Sequence, residues 1–357
     1  MARKIPYMQI RGGSSKGLYF NASDLPSDED KRNRFLLLAM EGTLEGDSRQ
    51  IDGLGGATSL TSKVAIIRPS TSPEADLDYL FVQVVVGEGR VSTTQTCGNI
   101  LAGVPHFALE TGLIEPGLEK TTVRVKMMNT GAICEITAQT PGGILAEKGD
   151  AAVDGVPGTS APVICNYLDI EGSSCGSLFP TRKLTDMIDG KEVTCIDNGM
   201  PVVLLKASDF KLSGNESVEE LETNENLKTE IESIRLQAGR IMNLGDVSNE
   251  TIPKMCLISS PLKGGIVNTR MFIPKRVHEA IGVLAAVSVA TACVYQGTVA
   301  NEIAEISSNE SLFKLEHPTG AMTIQLQIED DNKEPKIRSA GIIRTARILS
   351  KGEVYLP

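Results

Sequence analysis

The chain has no C-x-x-C pair, only three histidines, and no Lys/Arg cluster to offset its acidic surplus. Each absence removes a class of function. Zinc sites need closely spaced Cys and His ligands, and no His/Cys/carboxylate group here has that spacing, so a metal centre is not expected. Seven cysteines, an odd number at scattered positions, do not make a disulfide framework and fit a reducing, cytoplasmic setting. A formal net charge of -10 argues against nucleic-acid and anionic-membrane partners, both of which demand a basic surface. No apolar run is long enough to span a bilayer: the most apolar stretch, Ala280 to Tyr295, falls short of the roughly 20 residues required and reads as a buried helix. The start, MARKIPYMQI, lacks the apolar core of a secretory signal. The glycine-rich segments match neither G-x-x-x-x-G-K-[ST] nor G-x-G-x-x-G, which weakens a phosphate-loop reading.

What is present centres on Gln95-Thr96-Cys97-Gly98-Asn99. The run Tyr79 to Val86 before it is rich in β-branched and aromatic residues and reads as a strand; Ile100 to Leu113 after it carries apolar residues at helical spacing. Cys97 is therefore expected at a helix start, where unpaired N–H groups and the dipole favour a thiolate and can cradle a carboxylate. The alternative is a small buried hydrophobe.

At 357 residues the chain exceeds one ordinary core, and it carries an internal echo. Lys4 to Ile10 reads as a strand, Arg11 to Gly17 as a glycine-rich turn, Leu18 to Asn21 as a return strand, and a helix is expected around Asp28 to Met40. In the second half, Glu192 to Ile196, the turn Asp197 to Pro201, and Val202 to Lys206 repeat that order. Asp24, Lys63 and Gly131 are echoed at Asp209, Lys254 and Gly320 at a nearly constant offset, which is the signature of a duplicated unit. The helix after Gly98 has its counterpart at Ala280 to Tyr295, and both are apolar around most of their circumference. Such a helix must be covered on all sides, here by the strands of its own half, which predicts two sheets each curled about a central helix. Two related lobes commonly hold a ligand between them. The acidic run Glu216 to Glu232 reads as a solvated loop and helix face.

Several long motifs carry a resemblance: Arg11 to Gly17, Gln50 to Gly56, Leu60 to Ile67, Cys97 to Val104, Val193 to Pro201, Leu244 to Ser248, Pro253 to Leu257 and Arg344 to Arg347. Over nearly its whole length the sequence resembles the PrpF-like isomerase family. The resemblance implies a diaminopimelate-epimerase-like fold of the α+β class, with two pseudo-symmetric domains, each a curled mixed β-sheet around a central apolar helix. The expected domains are residues 1–182 and 183–352, and the final strand near 353–357 is a candidate to join the first. It further implies an isomerase without cofactor, acting by a 1,3-proton shift on 4-oxalomesaconate or a closely related unsaturated polycarboxylate. A place in aromatic-acid (gallate) degradation goes with that activity. The alternatives are cis-trans isomerisation of 2-methylaconitate and a non-catalytic polycarboxylate-binding role. A small polycarboxylate is the expected partner, and a homodimer is left open.

The family's proton-transfer lysine and cysteine correspond to Lys63 and Cys97. For Lys63 the alternative is a strand-end lysine snorkelling to solvent. Charge developing on the substrate needs fixed donors; the candidates are the backbone N–H groups of Gly98 and Asn99, the hydroxyls of Ser14 and Ser15, and the Asn198 amide, with Arg270 as a carboxylate clamp. Turn chemistry for the serines and Asn198, and an ion pair for Arg270, are the competing explanations. Two departures stand out. Val104-Pro105 replaces a glycine-proline step and bears on helix geometry, and the second helix start, His278 to Gly282, has no cysteine, which argues against a two-thiol mechanism.

Overall fold

The computed structural model describes residues 4–355 except 95, 169, 275, 308–310 and 332–333. Gln95, ahead of Cys97, and Leu356 and Pro357 in the final segment lie outside the described residues. The chain forms two compact units, residues 1–168 with 343–357, and residues 169–342.

In the first unit the elements are β1 (Lys4–Gly12), β2 (Ser15–Asn21), α1 (Glu29–Glu41), β3 (Lys63–Pro69), β4 (Leu77–Val85), β5 (Arg90–Ser92), α2 (Gly98–Leu101), α3 (Val104–Glu110), β6 (Lys120–Met127), β7 (Ile133–Gln139) and β8 (Pro162–Tyr167). β1 pairs antiparallel with β2, β2 parallel with β3, β3 antiparallel with β4, and β4 parallel with β6; β6, β7 and β8 follow antiparallel.

The second unit holds β9 (Asp186–Ile188), β10 (Lys191–Asp197), β11 (Pro201–Lys206), α4 (Val218–Glu222), α5 (Glu225–Ile241), β12 (Lys254–Ser259), β13 (Val267–Ile273), β14 (Arg276–Val277), α6 (Val283–Val294), β15 (Leu312–His317) and β16 (Gly320–Asp331). A long last strand, β17 (Glu334–Tyr355), pairs with β16 through Ile342 and with β1 from Ala346 onward. The pairing sequence of the first unit recurs step for step: β10 with β11 antiparallel, β11 with β12 parallel, β12 with β13 antiparallel, β13 with β15 parallel, and β15 with β16 antiparallel. Lys63 and Lys254 open equivalent strands, and Gly131 and Gly320 sit at equivalent hairpins. The echo in the sequence is thus a duplicated fold.

Alternation along the strands explains the layering. Leu18 and Phe20 of β2, Val64 and Ile66 of β3, and Val82 and Val84 of β4 face outward onto Phe35, Leu36, Ala39 and Met40 of α1. The intervening residues face the other way, where α2 touches β1, β2 and β3 and α3 touches β6 and β7. In the second unit α5 covers the outer face and α6 contacts β10, β11, β15 and β16. The apolar run of α6 is buried continuously from Ala285 to Cys293. No helix among the described residues is long and apolar enough to cross a membrane.

Two local expectations are corrected. The turn predicted over Arg11 to Gly17 is only Gly13-Ser14, because the strands extend to Gly12 and restart at Ser15. The single helix predicted from Ile100 to Leu113 is two, α2 and α3. Pro105 has no N–H for the Leu101 carbonyl, so the first ladder stops there, and the proline sits in the first turn of α3, where its missing donor costs nothing.

α3 also buries His106, with 4% of its surface exposed. Burial, with the Arg11 charge adding to it, pulls its pKa down to about 4, and a backbone hydrogen bond at Ala346 opposes this only in part. The folded pKa lies below the unfolded value of about 6.5, so the unfolded chain binds the proton more readily. Stability from this group is complete above about pH 6.5 and is lost as pH falls toward 4, by on the order of 3 kcal/mol. Denaturant melts at pH 7 and pH 4.5 are expected to differ less in His106→Gln than in the parent; an unchanged difference would rule the account out.

Candidate active site

Cys97 occupies the N-cap position of α2 with extended backbone (φ -134°, ψ 105°) and no side-chain cap. The first N–H groups of the helix, from Gly98 and Asn99, have no carbonyl one turn earlier to bond. Two inward-facing tyrosines brace the opposite side of this turn: the Tyr79 hydroxyl donates to the Cys97 carbonyl at 3.2 Å, and the Tyr19 hydroxyl donates to the Ile100 carbonyl. Burial, with the nearby Cys97 next in weight, raises both phenols well above their ordinary value, so they remain neutral donors.

The Gly13-Ser14 turn packs directly on that helix start. A Cβ at Gly12 would collide with the Asn99 carbonyl, and one at Gly13 (φ +51°) with the Asn99 side-chain oxygen. Only glycine allows so close an approach. Arg11 holds the turn from beneath: its Nη1 donates to the carbonyls of Gly13 (3.0 Å) and Thr345 (2.8 Å) and to the Thr345 hydroxyl (3.0 Å). The Asn99 amide then donates to Ser14 Oγ at 3.1 Å and Ser15 Oγ at 3.4 Å. Ser14, Ser15, Gly98 and Asn99 are therefore gathered in one place beside Cys97. Arg344 enters the same region from β17: its Cδ lies 3.2 Å from where a Gly13 Cβ would be, and its burial lowers the guanidinium pKa from its ordinary value.

Lys63 is the first residue of β3, on the face shared with Ala65 and therefore inward, and it is 8% exposed. Its Nζ donates to Gln83 Oε1 at 2.7 Å and lies 5.2 Å from the centre of the Phe81 ring. Gly17, opposite Lys63 in the parallel register, has no room for a Cβ against the Lys63 backbone.

The remaining predicted residues lie in the second unit. Asn198 is engaged with α6: its backbone N–H donates to Ser288 Oγ (3.0 Å) and its side-chain amide to Thr291 Oγ1 (2.8 Å). Arg270 donates from Nε to the Glu216 carbonyl (2.8 Å) and from Nη1 to Asn268 Oδ1 (2.8 Å) and the Thr269 carbonyl (2.9 Å). His278 accepts the Ala280 N–H on Nδ1 at 2.9 Å, and burial lowers its pKa. Among the described residues, no group of three His, Cys, Asp or Glu is placed to hold a metal ion.

The sequence pattern of the family described as PrpF protein matches residues 2–357. The chain is 51% identical to the 4-oxalomesaconate tautomerase of Pseudomonas putida over 99% of its own length and 96% of that protein's. The chain belongs to the PrpF family. It is also 48% identical to the (4E)-oxalomesaconate Delta-isomerase of a Novosphingobium strain, over 98% of this chain and 97% of the other. Among solved structures it superposes on methylitaconate-delta-isomerase with a TM-score of 0.89 at 28% identity, covering 99% of this chain and 95% of that one. The fold is diaminopimelate-epimerase-like.

For this PrpF chain the cysteines divide sharply. Cys97 is half-buried and the other six are buried; burial pushes the thiols of Cys134, Cys175, Cys195, Cys256 and Cys293 up. A buried thiol with a raised pKa is a poor nucleophile and a poor proton carrier near neutrality. Sequence reasoning passed over Tyr19, Tyr79 and Gln83, which alternate with apolar neighbours and read as core. It noted Arg344 only as part of a motif; no spacing connects the last strand to Cys97. In the native protein, a brief iodoacetamide pulse is expected to label Cys97 and leave the other six for the unfolded chain. Peptide mass mapping checks this, and equal labelling of any of the six before unfolding would contradict it.

Proposed function

We propose that the protein is an isomerase that interconverts the keto and enol tautomers of 4-oxalomesaconate, or of a closely related unsaturated polycarboxylate, by a cofactor-independent 1,3-proton shift. The single observation that carries the substrate class is near-full-length identity of about one half to proteins named for oxalomesaconate isomerisation. The local chemistry supports the reaction class.

Tautomerisation removes one proton at one end of a three-atom unit and delivers one at the other, while the electrons stay within the substrate. Cys97 and Lys63 are the proposed pair. The group that removes in one direction delivers in the reverse, so each must be competent in both protonation states. Charge that develops on substrate oxygen is met by the N–H groups of Gly98 and Asn99, and the Ser14 and Ser15 hydroxyls serve as carboxylate contacts. Losing one such fixed donor costs about 10²–10³ in kcat in comparable sites.

An ultraviolet time course with one tautomer of 4-oxalomesaconate, run beside 2-methylaconitate and methylitaconate, tests the substrate. Conversion confined to the methyl compounds would move the assignment to the other branch of the family. For the residues, Cys97→Ser and Lys63→Ala are each expected to lower kcat by about 10²–10⁴ in variants that still fold, with Lys63→Ala unfolding at a lower temperature because Gln83 loses its partner. Near wild-type turnover in both folded variants would remove the pair.

A further inference from the structure

Gln83 is buried on the inward face of β4, directly opposite Lys63 in the antiparallel register. Its Nε2 faces three backbone carbonyls, those of Ser62 (3.0 Å), Val84 (3.0 Å) and Ser59 (3.2 Å), and its Oε1 faces the Lys63 ammonium. Turning the amide over would set its oxygen against three carbonyl oxygens and its NH2 against a cation, so only one orientation is compatible with these neighbours. The segment that supplies two of those carbonyls is itself pinned: Gln50, in left-handed backbone (φ +52°), accepts the Ser62 hydroxyl at 2.7 Å and the Ala57 N–H at 2.8 Å on one side-chain oxygen.

Lysines this deeply buried are normally paired with a carboxylate. Among the described residues Lys63 has no ion pair; its partners are the neutral oxygen of Gln83 and the face of Phe81. A carboxylate at this position would neutralise the ammonium and compete with an anionic substrate for it. An apolar residue would leave a flexible four-carbon stem unanchored. A neutral acceptor avoids both: it fixes Nζ through one N–H, and the ammonium keeps two further donors and its charge.

We propose that Gln83 is a positioning residue, oriented by the strand carbonyls, that aims Lys63 for proton transfer without discharging it. This rests on the proposed role of Lys63.

Kinetics of three variants in parallel test it. Gln83→Met keeps the length and removes the acceptor, and is expected to lower kcat by on the order of 10²-fold while KM stays within about threefold, since a displaced catalytic group costs rate more than binding. Gln83→Asn keeps donors for the carbonyls but withdraws the acceptor by one methylene; a fall in kcat in the same sense is expected, and this variant decides the matter if the methionine variant does not fold. Lys63→Ala separates the two ideas. If it is inactive while a folded Gln83 variant keeps kcat within about threefold, or changes KM alone, the positioning role is wrong and the role of Lys63 stands. If Lys63→Ala turns over normally, the role of Lys63 falls and the positioning role with it.

Discussion

A helix without a polar face has to be covered on every side, and each half of this chain contains such a segment: α2 with α3, and α6. That constraint bends the sheet around the helix and leaves the sheet's outer face to be covered by a second helix, α1 in one unit and α5 in the other. With both faces buried, the strands read as apolar runs, as in Val64-Ala65-Ile66-Ile67 and Leu80-Phe81-Val82. A polar group on the inner face then has no water to turn to and must find a partner. In the first unit Lys63, Gln83, Tyr19 and Tyr79 all sit there and are bonded to one another's strands or to the carbonyls of α2. Tyr19 and Tyr79 are thereby fixed supports for the turn that carries Cys97, and Gln83 for Lys63.

Duplication supplied the frame twice, but the residues at equivalent positions differ. Cys97 and Gly282 hold the same N-cap position before the inner helix of their units. Lys254, the counterpart of Lys63, turns its ammonium to the Thr251 carbonyl at 2.6 Å and makes no bond like that to Gln83. At these positions the first unit has a cysteine and a buried lysine, and the second a glycine and a half-buried lysine.

The repeat, the strand and turn order, and the helix start at Cys97 were legible in the sequence, because each rests on local pattern or on self-similarity. Strand alternation also puts Lys63 on the same face as Ala65 and Ile67. What alternation cannot say is which face is inward or which residue lies opposite, since cross-strand register depends on packing and on the intervening turn. Gln83 was invisible for that reason. The glycines of Arg11 to Gly17 were read as turn residues, yet Gly12 belongs to a strand; its lack of a side chain serves the contact with Asn99, a long-range constraint that local turn rules do not contain. The break between α2 and α3 was foreshadowed by Pro105 and mispredicted only because an apolar period continued through it.

The charge balance poses the last question. A chain of net charge -10 is an unpromising host for a polyanion of the kind proposed. Salt screens exposed charges beyond about 8 Å at physiological ionic strength, whereas buried charges are screened far less. The acidic residues at 216–232 lie largely on exposed helix and loop surface, so their repulsion is screened over that distance. Lys63 and Arg344 are buried. A desolvated cation can therefore outweigh a larger number of solvated carboxylates in its own neighbourhood.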